Sequence, residues 1–203
     1  MMKIGASASP RFCIPAADNE AVHQEKIAMG VKNRILIFTG DGKGKTTSAL
    51  GMALRAHGHG IAVAVIQFVK ADASTGEYAA MKKMENIEIV MTGIGFVPRP
   101  TDPRFADHCR AAEKGLRVAA DYLKSGRFGL VILDEVCVAV SLNLISEESV
   151  LGIIRQAAPD ITIVLTGRGA SQGLIEIADT VSEIRVIKHG YEAGIKAQKG
   201  VEF

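Results

Sequence analysis

The sequence predicts an α/β protein: a mainly parallel sheet between helical layers, carrying a phosphate-binding loop. Three observations lead there. Short apolar runs alternate with amphipathic stretches in the order β-α-β-(α)-β-α-β-α-β-α-β, with no internal repeat and no linker. The first run, Arg34–Thr39, is almost unbroken in apolar residues, as expected when helices cover both faces of a strand. A glycine-rich turn, Gly40–Gly44, then joins that run to a helix opening at Lys45.

The chain begins with residues 1–33, which hold Pro10 and Pro15 and show little periodicity. Asp18 to Met29 would make a short helix that is marginal alone. This stretch is expected to be an arm, either disordered or folded over the site or a partner subunit, with the domain proper at 34–203. The first helix runs Lys45–His57 with Ala49, Met52, Ala53 and Ala56 on one face and Gly58 as its stop. Ile61–Val69 is a second buried strand, Gly76–Met84 a short helix and Ile87–Thr92 a third strand. Gly93–Pro103 is a loop of glycines and prolines around Phe96: a candidate lid or substrate wall, with a core position for Phe96 as the alternative.

Pro103–Ser125 reads as a long amphipathic helix through Phe105, Cys109, Ala112, Leu116, Ala119 and Leu123, with Asp107 and His108 on its surface. Phe128–Glu135 is a strand ending in two carboxylates. Ser146–Glu148 has good helix-starting chemistry, and that helix ends before Pro159. Ile161–Leu165 is another buried strand, followed by a helix near Gln172–Ala178 and a strand Val181–Ile187. The tail Lys188–Phe203 is basic and expected to border the site.

Composition narrows the function. At 203 residues, 48% hydrophobic and a net charge of +2, this is one ordinary globular domain. Balanced charge leaves no footprint for nucleic acid or a membrane surface. No apolar run approaches the ~20 residues needed to span a bilayer. The N-terminus lacks the pattern of a secretory signal, so a cytoplasmic protein is expected. Cys13, Cys109 and Cys137 are widely spaced and read as reduced thiols, Cys137 as core packing. His57 and His59 suit a helix end, where cations are favoured, better than a metal pair.

The chemistry concentrates where strands end. Gly40, Gly42 and Gly44 can adopt positive φ at little cost, turning successive amides inward around an anion. The helix at Lys45 adds its free first-turn donors and the positive end of its dipole. Lys45 is placed to reach phosphate oxygens and the Thr46 hydroxyl to ligate Mg²⁺. The usual pattern G-x-x-x-x-G-K-[ST] would put glycine at 39, where this chain has Thr39. Asp134 or Glu135 would complete the Mg²⁺ site, directly or through water, unless the pair only caps the next element. Lys70 and Arg168 follow other strands at the edge where open α/β sheets bind ligands. Arg168 suits phosphate oxygens by its fork geometry, with a structural ion pair as the alternative.

Together the motifs resemble the ATP:corrinoid adenosyltransferases of the cobalamin-synthesis type, over about residues 34–203. The resemblance rests on Thr39–Thr47, Gly58–Gly60, Gln67–Lys70, Gly76–Glu77, Val131–Glu135 and Thr166–Gly169. At the C-terminal end, Val181–Arg185, Lys188–His189 and Ala193–Phe203 also match. It implies a RecA-like fold, a homodimer, and transfer of the 5′-deoxyadenosyl group of ATP to a Co(I) corrinoid with release of triphosphate. It implies Mg²⁺ (or Mn²⁺) held by Thr46 and Glu135, with Asp134 beside them. Gly40, Asp41, Gly42, Lys43, Gly44, Lys45, Thr46 and Thr47 would hold the triphosphate with Lys70 and Arg168. Lys45, Thr46, Glu135 and Arg168 form the expected catalytic set. A reductase or another corrinoid-pathway enzyme is the implied protein partner. Members share the displaced first glycine and are thought to bind ATP reversed along the loop. Their corrinoid-facing loop commonly reads Gly-Phe-x-Trp. Here Gly95-Phe96-Val97 is followed by Pro98 and the chain has no tryptophan, so Phe96 is the one aromatic wall.

That chemistry needs no serine, cysteine or histidine base, because Co(I) is itself a strong nucleophile. Two rivals remain open at the level of sequence: a phosphotransferase or ATPase using the same loop, and a nucleotide-gated corrinoid-binding module without turnover.

Overall fold

The computed structural model describes residues 33–202. Six strands form one sheet: β1 (Arg34–Thr39), β2 (Val63–Gln67), β3 (Ile87–Met91), β4 (Leu130–Asp134), β5 (Thr162–Thr166) and β6 (Thr180–Glu183). Their order is β3-β2-β4-β5-β1-β6, and every pairing is parallel. β2 and β4 are buried at every position, which is why they read as continuous apolar runs.

Side chains alternate between two helical layers. Val63, Val65, Leu130, Ile132 and Val164 meet α1 (Lys45–Gly58) and α2 (Gly76–Met81) through Ala49, Leu50, Ala53, Ala56 and Met81. Ala64, Ile66, Val131, Leu133, Ile163 and Leu165 face the other layer. That layer is α3 (Phe105–Lys124), α4 (Val136–Ser141), α5 (Glu147–Arg155) and α6 (Gln172–Ile177). Ser146 caps α5, its hydroxyl accepting the Ser149 N–H at 3.1 Å.

Several expectations change. His108 is not a surface residue: it is 8% exposed, on the inward stripe of α3 with Ala112, Gly115, Ala119 and Leu123. Gly115 lets α3 sit close, since a Cβ there would lie 2.6 Å from Thr92 Oγ1. α1 continues through Gly58, and Gly60 (φ 72°) is the left-handed residue that ends it. His57 contacts Asn86 through Nδ1. α4 is an element that the β-branched run Val136–Val140 concealed. β6 stops at Glu183 instead of reaching Ile187, because β1, its strand partner among the described residues, ends at Thr39. Past that point the Ile184 N–H donates to Thr39 O at 2.8 Å and Ile184 O accepts the loop's Gly42 N–H at 2.7 Å.

The arm expected over residues 1–33, and Cys13, lie outside the described residues, except Asn33. That residue is buried, its Oδ1 accepting the Ile161 N–H at 3.1 Å. Cys137 is buried in the core as expected. Among the described residues, no helix is long and apolar enough to cross a membrane.

Candidate active site

The order of the strands sets the site. β5 lies between the loop strand β1 and the acidic strand β4, so the carboxyl ends of β1, β5, β4 and β2 adjoin. Gly40 (φ 94°) and Gly44 (φ 120°) adopt the backbone that favours glycine. Gly42 does not; it is glycine for closeness. A Cβ there would lie 2.7 Å from Ile184 O, and its N–H donates to that same oxygen at 2.7 Å. The expected cradle therefore loses one donor to the backbone. The start of α1 remains: no side chain caps it and its first turn holds no acid. Its unpaired amides and dipole are free to meet an anion.

Behind the loop lies a buried acid. Asp134 has no solvent exposure and takes donors on both oxygens. Oδ1 accepts Thr46 Oγ1 at 2.8 Å and Thr166 Oγ1 at 2.7 Å. Oδ2 accepts Gln67 Nε2 at 3.1 Å and pairs with Lys70 Nζ at 3.3 Å. Lys70 also lies 3.6 Å from Glu77. Glu135 ends the strand in a left-handed turn (φ 63°), its N–H donating to Thr166 Oγ1 at 2.9 Å. Burial pushes the Glu135 carboxyl up, as does the neighbouring Asp134, against the pull of Lys70, Lys45 and Arg168. Burial lowers the Lys45 ammonium, helped by the Arg168 charge. Lys45 Nζ donates to Gly42 O at 2.6 Å, folded back on its own loop.

In front of the loop is a cavity of about 790 Å³. Residues Asp41–Thr47, Lys70, Glu77 and Arg168 line it on the polar side. Leu50, Leu54, Ala80, Met81 and Met84 form an apolar wall, and His189 with Gly200–Glu202 of the tail completes it. Lys43 Nζ holds the tail, 2.5 Å from Glu202 Oε1 and 3.1 Å from Val201 O. Arg168 Nε lies 3.7 Å from Asp41 Oδ1, with both side chains exposed.

Of the residues singled out from sequence, Asp41–Thr47, Lys70 and Arg168 line the cavity, while Gly40, Asp134 and Glu135 adjoin it in the chain or through Thr46 and Thr166. Phe96 does not line this cavity. It is 94% exposed, on a loop tied to the segment after β2 by the Gly95 N–H to Val69 O bond at 2.9 Å, so the core position is ruled out. Gln67, Thr166 and Glu77 were given no role by sequence reasoning. Gln67 and Thr166 carried a signal nonetheless, as single polar residues closing apolar strands. The donor set around Thr46, Asp134 and Glu135 is all oxygen, which suits Mg²⁺ or Mn²⁺. Among the described residues, no group of three or more His, Cys, Asp or Glu is placed to hold a metal ion.

Sheet order, loop and buried acid define a parallel α/β protein of the phosphate-loop class. Its family follows from comparison with known proteins. The model of the ATP:corrinoid adenosyltransferases BtuR/CobO/CobP matches residues 31–203. A corrinoid adenosyltransferase of Pseudomonas aeruginosa is 46% identical over 188 residues, 91% of each chain. One from Sinorhizobium sp is 38% identical, covering 95% of this chain and 92% of its own. The corrinoid adenosyltransferase CobA of Salmonella typhimurium is 38% identical over 83% of this chain and 85% of its own. The chain belongs to the ATP:corrinoid adenosyltransferase family.

Proposed function

We propose that this protein transfers the 5′-deoxyadenosyl group of ATP to the cobalt of a reduced Co(I) corrinoid, in adenosylcobalamin synthesis or salvage. Family membership over residues 31–203 carries the reading. The bond from Thr46 of the phosphate loop to Asp134 of the acidic strand supports it, because it brings both halves of a metal–triphosphate site together. The cobalt electron pair attacks C5′ of the ribose, a cobalt–carbon bond forms, and the C5′–oxygen bond breaks to release triphosphate.

The protein's task is to position and to stabilise charge. Holding C5′ against cobalt can lower the barrier by roughly 7–11 kcal/mol. Residues Gly40–Thr47 would cradle the triphosphate through amides and the start of α1. Lys45 would leave the Gly42 carbonyl for phosphate oxygens, whose negative charge favours the ammonium that burial disfavours. Lys43 and Arg168 would exchange Glu202 and Asp41 for the same anion, and Lys70 stands at the cavity wall beside Asp134. Such preorganised electrostatics are often the largest catalytic contribution.

Thr46 and Glu135 would hold Mg²⁺ or Mn²⁺, with Asp134 beside them. When bound, the ion neutralises charge on the leaving triphosphate. Phe96, exposed at the same edge of the sheet, would press on the corrin face and help displace the lower cobalt ligand. The resemblance adds a homodimer and a reductase or corrinoid-pathway partner. The free thiols Cys109 and Cys137 fit a cytoplasmic setting.

The test is anaerobic incubation with ATP, Mg²⁺ and chemically reduced corrinoid. A light-sensitive alkylcobalt spectrum is expected; its absence with active Co(I) present would contradict the proposal.

A further inference from the structure

Gln67, Asp134 and Thr166 close three adjacent strands on the same face of the sheet, Gln67 in direct register with Asp134. All three are buried. The flanking residues grip the acid from opposite sides: Gln67 Nε2 on Oδ2 at 3.1 Å, Thr166 Oγ1 on Oδ1 at 2.7 Å. The Gln67 grip has a cost, since its buried Oε1 finds no hydrogen-bond partner. Turning the amide over would set two acceptors against each other, so the orientation is dictated by Asp134. A buried orphan of this kind is disfavoured in a residue that only packs.

Thr166 has a second contact. The hydroxyl that donates to Asp134 also accepts the Glu135 N–H at 2.9 Å, where the chain takes its left-handed turn (φ 63°). A non-glycine residue holds that backbone only when its surroundings impose it. One hydroxyl thus fixes the carboxylate of the first acid and the backbone of the second.

We propose that Gln67 and Thr166 are positioning residues for the cation that accompanies the triphosphate. Holding Asp134 and Glu135 from both neighbouring strands, they set the oxygen geometry offered beside Thr46. Mg²⁺ demands near-ideal octahedral geometry, so loosening either grip weakens metal binding without touching a ligand. This inference rests on the metal–triphosphate site proposed above.

The test is calorimetric titration of ATP across a Mg²⁺ series and in EDTA, for wild type, Thr166→Val, Thr166→Ser and Gln67→Leu, with thermal melts of each. In wild type, Mg²⁺ tightens ATP binding. In Thr166→Val and Gln67→Leu the Mg²⁺ concentration giving half of that gain rises about 10–100-fold. Thr166→Ser, which keeps the hydroxyl, returns it to near the wild-type value. Gln67→Leu removes the orphaned oxygen and melts no lower than wild type. Wild-type binding that ignores Mg²⁺ would remove the site and the inference together. A Mg²⁺-dependent wild type with unshifted half-points in both variants would overturn the inference alone. So would a lowered melting point for Gln67→Leu with unchanged metal dependence.

Discussion

Lys45 and Thr46 lie where the loop and the acidic strand meet, one bonded back to Gly42 O and the other to Asp134. Lys45→Ala or Thr46→Ala should each cut turnover at least about 100-fold, the size typical for one preorganised charge contact. Initial-rate assays check this, and near-normal rates in both would count against the site. Glu135 gives a pH prediction. Its carboxyl is pushed above the ordinary range, chiefly by burial, so the folded protein keeps a proton that the unfolded chain has released. Stability contributed there falls as pH rises through that window. Nucleotide-free Glu135→Gln should therefore melt above wild type at about pH 8, the gap closing toward about pH 4. Melts across pH decide it; a gap that stays constant would show that Glu135 is not the group titrating. Sequence placed both carboxylates at the strand's end but left their division of labour open. Asp134 points inward as the last strand residue, while Glu135 is swung away by a backbone turn that depends on Thr166, 31 residues along the chain.

Among the elements, the phosphate loop shows how far a motif reaches. The glycines, Lys45 and the helix start were legible in order, yet the reason for Gly42 was not, because Ile184 comes to it from the far end of the chain. Gly42→Ala should cost about 1–3 kcal/mol by overpacking against the Ile184 and Arg185 carbonyls, read from denaturant midpoints. An unshifted midpoint would show that the segment after β6 yields freely. α4 was hidden for a related reason. Its valines favour strands, and only the burial of Val136, Cys137 and Ala139 against the core makes it a helix. The loop carrying Phe96 was legible as a loop, with the aromatic outside the core. Phe96→Ala should impair corrinoid turnover while leaving ATP affinity intact; lost ATP binding would contradict the corrinoid role.

For the molecule as a whole, alternating apolar runs were enough to give a parallel sheet between helices, since each buried strand must be covered on both faces. They could not give the strand order. Placing β5 between β1 and β4 depends on pairings far apart in sequence, such as Ile35 with Ile163 and Leu130 with Thr162. That order makes the site: it brings Thr46, Asp134, Thr166 and Gln67 to one edge, with Lys70, Arg168 and the tail around one cavity. The central claim is that this edge grips the three phosphoryl groups as one leaving group while cobalt attacks the sugar. Chromatography of the spent nucleotide after anaerobic turnover with Co(I) corrinoid tests it most directly. Intact triphosphate, in equal amount to the new cobalt–carbon bond, is predicted; ADP with free phosphate or a phosphorylated product would contradict it.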